Sequence, residues 1–167
     1  MSEDLAPIDT TWLDGLVGYQ LRRASAAMAS DYAWFAGPDR LRSAQLTTVV
    51  LIADNPGIHA STIGNLLRIA RANMVQMVNV LVERGLIERR SSATDKRVVE
   101  LHLTAAGIEL AATAKEFLRE HEDRMLSVLS ERQRSQFVSM LMKIAEHDTV
   151  ADAPRGKPST GAAFRRD

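Results

Sequence analysis

The chain of 167 residues is 46% hydrophobic and 25% charged, the balance of one soluble domain of ordinary size rather than of a disordered or fibrous protein. Its 21 Lys and Arg offset 21 Asp and Glu, so any nucleic-acid site has to be a local patch, and the whole-chain charge carries no information about partners. No run approaches the roughly 18 apolar residues of a membrane span, Glu3 and Asp4 stand where a basic leader would begin, and no cysteine is present for disulfides, thiolate metal sites or a redox switch; a cytoplasmic protein is expected.

From Thr10 to Ala36, residues Leu13, Leu16, Val17, Tyr19, Leu21, Ala24, Met28, Tyr32 and Phe35 recur at spacings of three and four, which predicts one broad-faced helix, weakened near its start by Gly15 and Gly18. Gly37-Pro38-Asp39 breaks it. Ser43 is placed to cap a second helix carrying Leu46, Val49, Val50 and Ala53, which Asn55-Pro56-Gly57 stops.

A short third helix is expected from about His59 to Leu67 with Ile63, Leu66 and Leu67 inward, then a turn at Arg68-Ile69 and a fourth helix from about Ala70 to Arg84. Gly85 ends that helix at the position where a positive φ costs least. Met74, Met77, Val78 and Leu81 fall at i, i+3, i+4 and i+7 and form its buried stripe. Ala72, Val75, Gln76 and Asn79 then lie on the opposite face, with Arg71 and Asn73 flanking the first turn.

Val99, Leu101 and Leu103 alternate with Val98, Glu100 and His102, the two-residue period of a half-buried strand, and Leu86 to Arg90 is its expected partner. The Ser91-Ser92-Ala93-Thr94-Asp95 segment between them is too polar to bury and too long for a two-residue turn, so it projects as a wing. Thr104 is placed to cap a helix whose stripe is Leu110, Ala114, Phe117, Leu118, His121 and Met125. Ser130-Glu131-Arg132-Gln133 has the form of a capping box and opens a last helix bearing Phe137, Met140, Leu141 and Ile144. Residues 149–167, rich in Pro, Gly, Ala and basic side chains with no apolar period, are expected to be a disordered tail.

Helix, turn, helix and β-wing in this order are DNA-reading equipment. Between Arg68 and Arg97 stand seven basic residues (Arg68, Arg71, Arg84, Arg89, Arg90, Lys96 and Arg97) against three acidic ones (Glu83, Glu88 and Asp95), so the neutral total hides a basic segment. Clustered cations around a groove-sized helix and an exposed loop are the distribution that phosphate binding requires. Within the wing, Arg97 is placed to enter the minor groove, and Asp95 to pair with it and hold the loop's shape, a contribution of only ~0–1 kcal/mol in an exposed pair.

Gln45-Leu46, the run Ile69-Ala70-Arg71-Ala72-Asn73-Met74-Val75, then Leu81-Val82-Glu83-Arg84-Gly85-Leu86-Ile87-Glu88-Arg89, and Thr94-Asp95-Lys96-Arg97 with Leu103-Thr104-Ala105-Ala106-Gly107 together resemble the MarR family of bacterial transcription regulators, over about Leu13 to His147. The resemblance implies a mainly α fold with a small β-wing: a six-helix homodimer in which residues 10–36 and 104–148 form the dimerisation region and residues 42–103 the winged helix-turn-helix. Two recognition helices would then reach successive major grooves of a pseudo-palindromic operator, about 34 Å apart. Two positions depart from the family pattern: Ala70 stands where a capping serine is usual, and Gln76 where a basic residue is frequent. Gln76 can pair bidentately with adenine, and Arg71 can read guanine or hold a phosphate.

The resemblance also implies a cleft for a small-molecule effector, commonly an aromatic carboxylate or related anion. Tyr19, Arg22, Arg23, Tyr32 and Trp34 on the first helix offer rings to stack and cations to pair with a carboxylate or a CoA phosphate. The bland reading of the same residues is core and solvated surface. His59, His102, His121 and His147 show no metal-ligand spacing; His59 is expected to begin the third helix and His102 to lie on the solvent face of its strand. No phosphate loop or nucleophile constellation appears, so no catalytic role or cofactor is expected. Three roles stay open at this point: a dimeric repressor released by an effector, a ligand-independent DNA-binding module, and a winged-helix protein-interaction module.

Arg97→Ala is predicted to weaken binding to a DNA operator and flatten its salt dependence, whereas Gln76→Ala mainly relaxes base preference. Fluorescence anisotropy on operator variants tests this; equal weakening of all sequences by Gln76→Ala would contradict it.

Overall fold

The second predicted helix is observed at Ser43–Asp54 and is wrapped by its neighbours, with Leu46, Thr48, Val49 and Ile52 buried. In this computed structural model, which describes residues 8–36, 41–92, 96 and 98–147, the elements run α1 (Thr11–Asp14), α2 (Val17–Ala36), α3 (Ser43–Asp54), α4 (Ala60–Leu66), α5 (Arg71–Glu83), β1 (Ile87–Ser91), β2 (Val99–Leu103), α6 (Ala105–Met125) and α7 (Glu131–Glu146). Burial of Thr48 is made tolerable by its hydroxyl, which donates to the Ala44 carbonyl at 2.8 Å and lies 3.2 Å from Met77 Sδ. The cap of α3 is not Ser43, which is already helical. Arg42 occupies the capping position, and Gln45 Oε1 turns back to accept from its N–H at 2.9 Å.

Two helix ends in the winged lobe close in the same way. At the end of α4 the Ile69 N–H donates to the Gly64 carbonyl (2.8 Å) and the Arg68 N–H to that of Asn65 (3.3 Å). At the end of α5 the Leu86 N–H donates to Leu81 (3.0 Å) and the Gly85 N–H to Val82 (2.8 Å). These are Schellman closures, and each needs one residue with positive φ. Gly85 meets that need at φ 67° without a Cβ penalty; Arg68 meets it at φ 51° with one. Leu66 departs from expectation: it is 64% exposed, because a seven-residue helix turns only one narrow edge inward, and Ile63 with Leu67, one turn apart, fill it.

β1 and β2 pair antiparallel in the register Ile87↔Leu103 to Ser91↔Val99. Ile87 and Leu101 enter the core, while Val99, predicted to face inward with them, is half open at the wing end of its strand. Gly57 and Ile58 lie along the other edge of β2, their backbones exchanging hydrogen bonds with Leu101 at 3.0 and 3.1 Å. The predicted wing residues Asp95 and Arg97 lie outside the described residues, as do Gly37-Pro38-Asp39 and the 149–167 tail.

Thr104 makes the joint that seats α6 on this lobe. Its N–H donates to the Leu86 carbonyl (3.1 Å), its hydroxyl donates to the Gly85 carbonyl (2.6 Å), and the same oxygen accepts from the Gly107 N–H (3.1 Å), the cap predicted for it. A Cβ on Gly107 would stand 2.0 Å from the Leu86 carbonyl oxygen, so only glycine permits the approach. Ala111, Ala114 and His121 continue the buried edge of α6, with Leu110, Phe117 and Leu118 partly buried against the same core.

Residues 10–36 are not one helix. Gly15 caps the four-residue α1, and α2 begins at Val17, so the described residues form seven helices rather than six. Leu13, Leu16 and Val17, expected in a buried stripe, are exposed in the single chain.

The chain divides after Met125 into two units, of which the second carries α7. Its capping box forms as the sequence predicts: Ser130 Oγ accepts from the Gln133 N–H, and Gln133 Oε1 accepts from the Ser130 N–H at 2.9 Å. Met140, Met142 and Ile144 on α7 are exposed.

The two backbone devices predict opposite responses. Gly107→Ala should destabilise by several kcal/mol, since backbone has to move, whereas Arg68→Gly should stabilise by roughly 1 kcal/mol by removing the left-handed penalty. Chemical denaturation of both variants checks this; a neutral Gly107→Ala would contradict the joint.

Candidate nucleic-acid interface

The two faces of α5 separate cleanly. Met74, Val78 and Leu81 are buried, Met77 partly so, and Arg71, Ala72, Asn73, Val75, Gln76 and Asn79 are all exposed, as their spacing predicts. Ala70 occupies the N-cap with no side-chain hydrogen bond to the first turn, which also lacks an acidic residue. The first N–H groups of the helix and the Arg71 charge therefore stand together at its exposed start.

Beside α5, the exposed part of β1 brings Arg89, while Arg90 follows on the other face of the strand and Lys96 is exposed beyond them. The two arginines are held differently. Arg89 Nη2 donates to Asn79 Oδ1 at 2.6 Å, tying β1 to the outward face of α5. Arg90 is closed onto the Glu88 carboxylate, with Nε 2.9 Å from Oε1 and Nη2 on the same oxygen. An open groove of about 630 Å³ runs between α4, α5 and the sheet, with Arg71, Val75, Arg89 and Val99 among its walls. Across from Arg90, at the wing end of β2, the Glu100 carboxyl is held below its usual range, first by a hydrogen bond from Ser92 and then by His102, whose Nε2 lies 3.1 Å away. His102 is consequently half-buried over its neighbour rather than on a free solvent face.

A second space shares no lining residue with the groove. It has a volume of about 510 Å³, and Tyr32, Leu46, Arg84, Leu86, Thr113 and Phe117 are among the residues around it. Tyr32 donates its hydroxyl to the Leu41 carbonyl (2.8 Å) and stands edge-on to Phe117 and His121, with ring centroids 5.5 and 5.7 Å apart. Behind it the Asp31 carboxylate lies 3.2 Å from His121 Nε2 and also pairs with Arg124.

The model of the MarR family matches residues 41–98, from the approach to α3 through the helix-turn-helix and β1 to the residue before β2. The regulator HosA of Escherichia coli O157:H7 is 30% identical over 107 residues, 64% of this chain and 78% of HosA. The solved transcriptional repressor CouR, bound to a 23-mer DNA duplex, is 35% identical with a TM-score of 0.77, covering 84% of this chain and 99% of CouR. CouR bound to p-coumaroyl-CoA superimposes with a TM-score of 0.75 at 33% identity, over 84% of this chain and 99% of that one.

The chain belongs to the MarR family. It is a DNA-binding transcriptional regulator of the winged helix-turn-helix type, and among its described residues no helix is long and apolar enough to cross a membrane. As a MarR protein it carries its expected DNA-facing set on two adjoining elements: Arg71, Ala72, Asn73, Val75, Gln76 and Asn79 on α5, and Arg89 and Arg90 on β1. Arg68 lies in the turn before α5, and Lys96 in the wing.

The effector residues expected for a MarR protein are only partly brought together. Tyr32 lines the 510 Å³ cavity; Tyr19, Arg22, Arg23 and Trp34 do not. Tyr19 is half-buried beneath the Arg23 guanidinium, 5.6 Å from its ring, and Arg23 also lies 3.5 Å from Asp14. Arg22 is exposed, and Trp34 is 81% exposed. The cation at the cavity is Arg84, which the sequence placed in the basic Arg68–Arg97 segment and not among the effector residues. No periodicity points to it, because the lining comes from four separated segments.

Proposed function

We propose that the protein is a homodimeric repressor that reads a pseudo-palindromic operator through α5 and the wing and is released by an anionic aromatic or acyl-CoA effector. The observation that carries the DNA reading is the outward face of α5. Six consecutive-turn side chains stand exposed over a buried apolar stripe, beside the cations of β1. A helix about 10–12 Å across fits the width of a major groove, about 12 Å. The similarity to CouR on a DNA duplex supports the same reading.

Dimerisation through residues 10–36 and 104–148 is supported by apolar side chains that the single chain leaves open: Trp12, Leu13, Leu16 and Val17 at the start, Ile108 on α6, and Met140 and Ile144 on α7. A second copy removes such surface from water at about 25 cal/mol per Å². The wing tip is assigned to Arg97 oriented by Asp95, as the sequence predicts.

The effector site is the cavity below α6. Its walls supply Phe117 and Tyr32 for an aromatic ring and Arg84 for a carboxylate or phosphate. Arg84 is the C-cap of α5, so an anion drawn to it acts on the end of the recognition helix. CouR, whose ligand is p-coumaroyl-CoA, supports that class.

Fluorescence anisotropy with a labelled duplex selected from a random-sequence library tests the reading. The chain should bind its selected duplex at least tenfold more tightly than a scrambled one, and aromatic carboxylates or p-coumaroyl-CoA should release it. Arg84→Ala should raise the effector concentration for half-release at least tenfold while leaving duplex affinity within a few-fold. A chain with no sequence preference, or release indifferent to Arg84→Ala, would contradict the respective halves.

A further inference from the structure

The two arginines on β1 have the same side chain, neighbouring positions and similar openness to solvent, yet they differ in what holds them. Arg90 is closed onto the Glu88 carboxylate, which offsets its charge. The cations of Arg23, Lys115 and Arg124 likewise meet carboxylates, those of Asp14, Asp54 and Asp31. Arg89 meets a carboxamide, Asn79 Oδ1, and among the described residues no carboxylate lies within salt-bridge distance of it. Because an arginine has only donors to offer, the group turned toward it has to be the amide oxygen, and the orientation of Asn79 is fixed by chemistry. An amide oxygen orients a guanidinium as a carboxylate does but removes none of its net charge. One of five N–H groups is used, and the rest of the fork keeps its donors.

The position of the pair adds to this. Asn79 stands on the outward face of α5, and Arg89 forms part of the wall between α5 and the sheet together with Arg71. The pair therefore presents an oriented, undiminished positive charge where the recognition helix and the root of the wing meet. A phosphate is the ligand for which such a charge is suited: guanidinium binds it bidentately, and the free energy comes largely from released counterions.

From this we infer that Arg89, and not Arg90, is the phosphate contact at the wing root, and that Asn79 is a positioning residue which aims it without neutralising it. The inference rests on the DNA-binding reading above and refines it by separating two arginines, on opposite faces of one strand, that the expected DNA-facing set lists together. Arg90 then serves the strand, holding Glu88 away from the DNA rather than holding the DNA itself.

The test is the salt dependence of binding to the selected duplex, measured by anisotropy for wild type, Arg89→Ala, Arg90→Ala, Asn79→Asp and Asn79→Ala, each first shown to melt like wild type. A phosphate contact contributes about 0.9 to the slope of log K against log salt, so its loss from both subunits of a dimer should lower the slope by about 1.8. Arg89→Ala should show that fall, and Arg90→Ala less than half of it. Asn79→Asp keeps the contact but sets a carboxylate against the guanidinium, so its slope should fall as in Arg89→Ala. Asn79→Ala should keep the wild-type slope and lose a few-fold in affinity through lost aim. Equal slopes for wild type and Arg89→Ala, or an equal fall for Arg90→Ala, would overturn the inference while leaving DNA binding intact. Failure of wild type to bind any duplex would instead overturn the reading on which it rests.

Discussion

A single close approach governs how the regulator is put together. The Leu86 carbonyl, at the exit of the recognition helix, lies so near α6 that residue 107 has no room for a side chain. Thr104 locks the approach from both sides, giving its N–H to Leu86 and its hydroxyl to Gly85 while capping the helix that carries Gly107. The end of α5, the start of β1 and the start of α6 are thereby one rigid corner. The Leu-Thr-x-x-Gly pattern is its chemical description: a side chain that both caps and bridges, and a glycine that stays out of the way.

The position of the corner gives it functional weight. On one side, α5 leaves it with Met74, Val78 and Leu81 buried and its polar face turned out. On the other, Arg84 and Leu86 form part of the cavity that Tyr32 and Phe117 help to enclose. An effector seated in the cavity, as proposed, would meet Arg84 and Leu86, the cap of the recognition helix and the residue whose N–H closes it. Coupling between ligand and DNA needs no long pathway here, because both would act on the same turn.

Much of this was legible in the sequence, for identifiable reasons. The α5 stripe, the Gly85 stop, the β1–β2 pairing, the Thr104 cap and the Ser130 capping box are local patterns, set by residues within a turn or two of one another. What escaped depended on distant chain. The cavity is assembled from residues near 32, 41–46, 84–86 and 110–117, and no periodicity links them, so four of five expected ligand residues fell elsewhere and Arg84 went unnoticed. Leu66 looked like core because it is leucine, but a short helix has one inward edge and Ile63 with Leu67 fill it. The glycine at position 15 weakened the first helix on paper and ends a separate one in the structure. Strand alternation already puts Arg89 on the face of Ile87 and Arg90 on that of Glu88, but that Asn79 of α5 meets Arg89 depends on how helix and sheet pack and is not legible in the sequence.

The central claim is that the outward face of α5 enters the major groove of two half-sites. The chain has no cysteine, so Gln76→Cys creates a unique attachment point for an iron chelate that cleaves DNA where it sits. On a duplex the protein selects, the account predicts two clusters of cleavage in major grooves facing the same side, about 34 Å apart. Cleavage scattered along the duplex, or confined to a single groove, would contradict it.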